Sequence, residues 1–196
     1  NFLLKKEELS KKHIYSCPQS LFKMHPSFDE AIKKILSKDK KAQIYFIKDR
    51  KEILSKMFFY RLKKLMPENI DRINFIDRLS PEDFIHHCGR ASVLLDSFWF
   101  GAGNTFHESM FYGTPTVTMP TKYLKSRIVT GAYKQMEIEN APILSNVDDY
   151  VDKCIELANL ENIDLKMYYK EQAEKKLFEN SEVINNLENV FKSLVN

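Results

Sequence analysis

Segments of strand character alternate with segments of helical character along this chain of 196 residues, nearly to residue 145. Short apolar runs between turn residues are typical of strands, whereas apolar residues three and four positions apart are typical of helices. Two parallel strands need a long crossover between them, and this crossover is usually a helix. The alternation therefore predicts an α/β fold, in which helices cover both faces of a parallel sheet.

The individual elements follow from these patterns and from their boundary residues. Ser27 and Ser80 are predicted to cap helices, and Gly113 is predicted to end one. Apolar positions between 183 and 194 predict one helical stripe. We expect a domain of residues 1–160, followed by a helical tail of residues 161–196. The predicted strands are 13–17, 42–47, 73–76, 92–96, 114–119 and 141–144, and the predicted helices are 27–38, 51–66, 80–91, 105–113, 122–136 and 145–160.

Composition excludes several classes of partner. The net charge of +3 arises from 30 basic and 27 acidic residues that are mixed along the chain, so no nucleic-acid partner is predicted. The longest apolar run, "SVLLDSFWF", is interrupted by Asp96 and is shorter than the roughly 18 residues of a membrane span. We therefore expect no membrane span.

The distribution of metal-binding residue types predicts no metal site. Three cysteines lie far apart, which excludes a disulfide framework and favours a reducing, cytoplasmic location. His86 and His87 are adjacent, so on a helix their side chains diverge by about 100 degrees and cannot hold one ion together. The acidic run at 148–152 follows a predicted helix start, where carboxylates favour the helix dipole.

Glycine is concentrated in one stretch of a chain that has only five glycines. Gly101, Gly103 and Gly113 all lie in "DSFWFGAGNTFHESMFYGTPTVTMP", residues 96–120. At the carboxyl end of a strand, the first two would let a phosphate approach the N–H groups of the next helix. The pattern matches neither a dinucleotide fingerprint nor a P-loop, so a simple turn without a ligand is an equal alternative.

Glu108 in this stretch and Lys23 near the start of the chain each have two possible roles. Thr105 and Glu108 are spaced as in a capping box, but Glu108 could instead accept hydrogen bonds from ribose hydroxyls. Lys23 lies in the loop after the first strand and could bind a diphosphate. It could equally be one of the many surface lysines.

The segments "CPQSLFKMHP" and "LLDSFWFGAGNTFHESMFYGTPTVTMPTKYLKSRI" resemble the C-terminal half of the catalytic region of the O-linked N-acetylglucosamine transferase and SPINDLY family. The related bacterial cytoplasmic N-glycosyltransferases share this pattern. The resemblance extends from about residue 10 to residue 135 and more loosely to the end of the chain, and its most specific part is "GTPTVTMP" with "SR" six residues beyond it.

This resemblance implies the C-terminal, Rossmann-like half of a GT-B glycosyltransferase of the inverting kind. Such a half binds a nucleotide sugar, commonly a UDP-sugar, without a catalytic metal or a further cofactor. It faces an N-terminal domain that contributes most of the site for a protein or glycan acceptor. We therefore expect the chain, which begins at Asn1 without a methionine, to be part of a longer protein.

The resemblance also implies roles for individual residues. Phe84 stands where the family has a histidine against the base, so a GDP-sugar is an alternative donor. Ser20 stands where the family often has Gln or Asn, and Gln19 precedes it. The implied roles are diphosphate binding by Lys23, Gly103, Asn104 and Thr105, ribose binding by Glu108, base binding by Phe84, and further contacts by Gln19, Ser20 and Arg127.

Two other functions are compatible with the sequence. One is a non-catalytic nucleotide-binding module that regulates a partner, and the other is an α/β scaffold whose glycine loop is only a turn. Transfer of a sugar by a protein that includes the N-terminal half would exclude the first. Binding of a nucleotide would exclude the second.

Overall fold

The computed structural model describes residues 12–160 and 163–195, so the first segment, "NFLLKKEELS", lies outside the described residues. The described residues contain one sheet in which all strand pairs are parallel. This confirms the predicted α/β fold. The strands are β1 (His13–Cys17), β2 (Ala42–Ile47), β3 (Ile73–Ile76), β4 (Val93–Leu95) and β5 (Thr116–Val117).

Helices connect these strands and extend beyond them. Short 3-10 turns occur at Leu21–Lys23, Pro67–Arg72 and Leu124–Ser126. Within the described ranges, no helix is long and apolar enough to cross a membrane. The α-helices are α1 (Pro26–Lys38), α2 (Ile53–Leu65), α3 (Pro81–Arg90), α4 (Asn104–Ser109), α5 (Ile128–Gln135), α6 (Val147–Asn159), α7 (Ile163–Lys176) and α8 (Ser181–Val195).

Buried clusters cover both faces of the sheet. Alternate residues of each strand point to opposite faces. In β1, Tyr15 and Cys17 belong to the largest buried cluster, which includes apolar residues of α1, α2 and α6. Ile14 points to the other face and packs with Cys88 of α3. A further buried cluster joins α4, α5 and α7.

The strand order β3-β2-β1-β4-β5 places a topological switch point between β1 and β4. From β1 the chain proceeds outward through β2 and β3, and it then crosses to β4 on the other side of β1. The loops that follow β1 and β4 therefore leave the sheet in opposite directions. A crevice at such a point is where open α/β sheets bind their ligands.

The predicted helix starts were right for one serine and wrong for the other. The Ser80 hydroxyl accepts a hydrogen bond from the N–H of Asp83 at 3.1 Å, which confirms Ser80 as an N-cap. Helix α1 begins at Pro26, and the side chain of His25 accepts from the N–H of Ser27 at 3.2 Å. Ser27 is therefore inside the helix, because Pro26 suits the first helical position and shifts the cap to His25.

Several later boundaries also differ from the predictions. The helix predicted to end at Gly113 ends at Ser109, and three turn residues precede the left-handed Gly113. The helix predicted for 122–136 is divided into the turn Leu124–Ser126 and α5, because the backbone of Arg127 between them is not helical, with φ −107 and ψ 5. In place of a strand at 141–144, a single bridge joins Thr118 and Ile143.

The two tail helices differ in how they pack. Tyr169 and Ala173 of α7 are buried in the cluster with α4 and α5. The Lys166 ammonium donates to the carbonyls of Gly89 and Ala91, at 2.9 and 2.8 Å, and so caps the end of α3. Helix α8 buries none of its residues, so its predicted apolar stripe is exposed. The division of the chain at residue 160 stays a prediction.

Replacing Gly113 with alanine is expected to destabilise the fold by at least about 2 kcal/mol. Gly113 has φ +60, and an added Cβ would lie 1.9 Å from the carbonyl oxygen of Lys166. Gly131 is the matched control, because it is inside α5 and an added Cβ meets nothing within 4 Å. Gly131→Ala should leave stability unchanged or raise it by up to about 1 kcal/mol. Denaturant unfolding measures both, and equal effects would contradict this account of Gly113.

Candidate functional site

Lys23 is held at the carboxyl end of β1 by groups from both loops of the switch point. Its ammonium donates to the carbonyl oxygen of Gly101 at 2.9 Å and to the amide oxygen of Gln19 at 3.3 Å. It also lies 4.3 Å from the centre of the Phe100 ring. An ammonium has three N–H donors, so one stays available for a ligand. Burial lowers the pKa of Lys23, and the negative charge of Asp96 opposes this effect.

Asp96 directly follows β4 and is only 1% exposed. Its carboxylate accepts hydrogen bonds from the Ala102 N–H at 2.7 Å, the Gln19 amide at 3.1 Å and the Thr118 hydroxyl at 2.6 Å. Burial raises the pKa of the Asp96 carboxyl to about 6, although these hydrogen bonds and the charge of Lys23 act to lower it. The loop after β4 is thus fixed around a buried acid.

The two glycines of this loop serve different purposes. A Cβ on Gly101 would lie 3.0 Å from an Asp96 carboxylate oxygen, so the space at Gly101 accommodates Asp96. That Gly101 also clears space for a ligand stays a prediction. At Gly103, an added Cβ would meet nothing within 4 Å, so this position does leave room beside the start of α4.

The start of α4 presents free polar groups. Within the described residues, no hydrogen bond uses the N–H groups or the side chains of Asn104 and Thr105. Helix α4 has six residues, so these N–H groups rather than a long helix dipole would attract an anion. The Glu108 carboxylate is half-buried and makes no hydrogen bond or ion pair with the described residues. The capping box suggested by Thr105 and Glu108 is therefore not formed.

The structure brings some of the other predicted residues together and separates others. Gln19 is 3% exposed, and its side-chain amide donates a hydrogen bond to Asp96 and accepts one from Lys23. Ser20 is exposed on the same loop. Phe84 is half-buried on α3 and packs beside the cluster of Ile14. The Arg127 guanidinium is bound to carbonyl groups of its own loop.

Helices α3 and α4 are neighbours, which relates the base and ribose predictions to each other. Burial is the main cause that raises the pKa of the Cys88 thiol in α3 to about 12, and the charge of Glu108 in α4 adds to this effect. Phe84 and Glu108 therefore belong to two neighbouring helices. A joint role of the two residues in binding base and ribose stays a prediction.

Sequence reasoning missed Asp96, Thr118 and Phe100 as parts of the site. In the sequence, Asp96 interrupts an apolar run, and an acid that directly follows a buried strand is itself a signal. The ring of Phe100 lies against the Lys23 ammonium, a contact between two loops that are far apart in sequence. Thr118 gives no sequence signal, because its role depends on the neighbouring strand.

The two adjacent histidines bind different groups, as their divergence on a helix requires. His86 hydrogen-bonds the Tyr112 hydroxyl at 2.7 Å, and His87 hydrogen-bonds the Ser16 hydroxyl at 2.7 Å. Among residues 12–160 and 163–195, no group of three His, Cys, Asp or Glu side chains is arranged to hold a metal ion.

One known protein is similar to this chain in sequence. No protein-family model matches the chain. Over 135 residues it is 27% identical to a probable UDP-N-acetylglucosamine–peptide N-acetylglucosaminyltransferase SPINDLY of Solanum lycopersicum. The chain resembles the O-linked N-acetylglucosamine transferase and SPINDLY family. The match covers 66% of this chain but only 14% of that relative.

Solved structures extend this likeness to the fold. A mutant O-GlcNAc transferase of Thermobaculum terrenum matches with a TM-score of 0.82 and 15% identity, over 93% of this chain and 36% of that one. HepE of Anabaena, solved in complex with UDP and glucose, matches with a TM-score of 0.60 and 12% identity, over 97% of this chain and 50% of that one. These matches confirm the predicted Rossmann-like half of a GT-B fold.

Replacing Asp96 with asparagine is expected to change how stability depends on pH. Because the pKa of this carboxyl is raised in the folded state, the folded protein binds its proton at a higher pH than the unfolded chain does. The Asp96 contribution to stability therefore falls as pH rises from about 4 to about 6, in total by up to about 3 kcal/mol.

Denaturant unfolding of the native chain and of Asp96→Asn at pH 4 and pH 7 checks this expectation. The difference in unfolding free energy should shift in favour of the variant at pH 7, because asparagine has no charge to bury. An unchanged difference between the two pH values would contradict the raised pKa.

Proposed function

We propose that this chain is the donor-binding half of an inverting GT-B glycosyltransferase and that it binds a nucleotide sugar, with a UDP-sugar as the expected donor. One observation carries the proposal: the Lys23 ammonium is bound to the carbonyl of Gly101, just before the unpaired N–H groups of Asn104 and Thr105. A fixed cation and free amides so close together suit the two phosphates of a nucleoside diphosphate.

In this proposal, Lys23 and the start of α4 bind the diphosphate. The third N–H of Lys23 and the N–H groups of Asn104 and Thr105 donate to phosphate oxygens, and Gly103 leaves room for them. During transfer, negative charge develops on the departing nucleoside diphosphate. Donors that are already in place stabilise this charge without reorganisation, and the proposal includes no metal or cofactor.

The nucleoside would lie between α3 and α4. The Glu108 carboxylate has no partner among the described residues and can accept hydrogen bonds from ribose hydroxyls. The half-buried ring of Phe84 can stack on a base, but it cannot distinguish bases by hydrogen bonding. A titration with GDP beside UDP therefore decides between the two donors.

In this proposal, the acceptor is bound mostly by residues that are not part of this chain. The chain spans about a seventh of its SPINDLY relative and about a third of the Thermobaculum structure that it matches. We propose that an N-terminal domain faces the carboxyl edge of this sheet and brings a protein or glycan acceptor to the donor. An acceptor hydroxyl or amide would then attack the anomeric carbon on the face opposite the departing diphosphate.

Replacing Lys23 with alanine is expected to weaken UDP binding by about tenfold to a hundredfold, the usual contribution of a charged hydrogen bond. Isothermal titration calorimetry measures this change. Lys40→Ala is the matched control, since Lys40 is an exposed lysine beside the amino end of β2, at the opposite edge of the sheet. The control should bind UDP like the native chain, and equal affinity of all three proteins would overturn the assignment of Lys23.

A further inference from the structure

We propose that Asp96 is a positioning residue of the donor site, which holds Lys23 and the loop of Gly101 and Gly103 in their binding arrangement without touching the ligand. This inference rests on the proposed function, because it assumes that a nucleoside diphosphate binds beside Lys23. The positioning role is inferred from the three hydrogen bonds that the Asp96 carboxylate accepts.

Each of these hydrogen bonds comes from a different part of the carboxyl edge. Gln19 belongs to the loop after β1, Ala102 to the loop after β4, and Thr118 to the segment after β5. A fourth bond, from the Tyr150 hydroxyl of α6 to the main-chain oxygen of Asp96 at 3.1 Å, fixes the backbone of this residue. One buried side chain therefore connects the ends of three neighbouring strands.

Asp96 reaches Lys23 through the amide of Gln19. An amide has one donating end and one accepting end, and a carboxylate can only accept. Because Asp96 receives the NH₂ group of Gln19, the oxygen of that amide is directed to Lys23, which donates to it at 3.3 Å. The same oxygen accepts from the Ser97 hydroxyl at 3.3 Å. The orientation of the amide that supports Lys23 is thus set by Asp96.

Asp96 also sets the path of the loop before α4. It binds the N–H of Ala102, and the absence of a Cβ at Gly101 lets the loop close over the carboxylate. The main chain at Gly101 then provides the carbonyl that receives Lys23, and its N–H donates to the carbonyl of Lys125 at 2.9 Å. Since Asp96 is 1% exposed, it would act on a ligand through these groups and not by direct contact.

The opposite edge of the sheet contains a matched carboxylate. Asp39 is 6% exposed and lies in the loop before β2. It receives hydrogen bonds from His13 at 2.6 Å, the Tyr15 hydroxyl at 2.7 Å and the N–H of Lys41 at 2.9 Å. Asp39 and Asp96 therefore have similar burial and three partners each, but only Asp96 adjoins the proposed donor site.

Alanine variants of the two acids separate positioning from general stability. Both Asp96→Ala and Asp39→Ala should lower the melting temperature, because each leaves buried donors without an acceptor. In calorimetric titrations of the folded proteins, Asp96→Ala should bind UDP at least about tenfold more weakly and Asp39→Ala within about twofold of the native chain. Equal UDP affinity of the two variants would overturn the inference.

A conservative variant tests whether hydrogen bonds or charge matter. The oxygen of asparagine can still accept from Ala102 and Gln19, and its NH₂ can donate to the Thr118 hydroxyl. Asp96→Asn should therefore bind UDP within about threefold of the native chain, and a loss as large as that of Asp96→Ala would overturn positioning by hydrogen bonds.

If Asp96→Ala does not fold, Gln19→Ala takes its place, because it removes the connection to Lys23. It should weaken UDP binding at least about fivefold, and binding within about twofold of the native chain would overturn the inference. The native chain serves as the reference for the proposed function. If it does not bind UDP, both proposals fall; if it binds UDP while Asp96→Ala matches Asp39→Ala, only the positioning role falls.

Discussion

A carboxylate buried at the end of a parallel strand must receive hydrogen bonds, since an unpaired buried charge costs several kcal/mol. In this protein, the hydrogen bonds that Asp96 needs determine the structure of the carboxyl edge. The loops after β1 and β4 and the segment after β5 each direct a donor at the same side chain. That arrangement orients the Gln19 amide that accepts a hydrogen bond from Lys23. It also requires a residue without a Cβ at position 101, where the loop passes close to the carboxylate.

The topology explains why this edge is where ligands would bind. Strands β1 and β4 are adjacent in the sheet although two strands and three helices separate them in sequence. Residues from positions 19–23 and 96–104 meet at this switch point through the hydrogen bonds that Gln19 and Lys23 donate. The amino edge has a comparable buried acid in Asp39, which accepts hydrogen bonds from His13, Tyr15 and the N–H of Lys41 and does not adjoin the proposed donor site.

Local patterns were sufficient to predict most strands and helices of this chain. The first three strands were predicted at their observed residues, and Ser80 was identified as a cap, because these features depend on neighbouring residues. The strand order, the contact between Gly101 and Asp96, and the role of Thr118 depend on residues far apart in sequence, so periodicity cannot reveal them. For the site, Lys23 and the loop before α4 were predicted to meet, whereas the acid that joins them was not.

The most direct test of the donor site is a titration of the isotope-labelled chain with UDP, followed by nuclear magnetic resonance of the backbone amides. The largest shifts are expected at Gly103, Asn104 and Thr105, with smaller shifts around Lys23 and none around Asp39. Shifts that are absent, or that concentrate away from the loop between β4 and α4, would contradict this expectation.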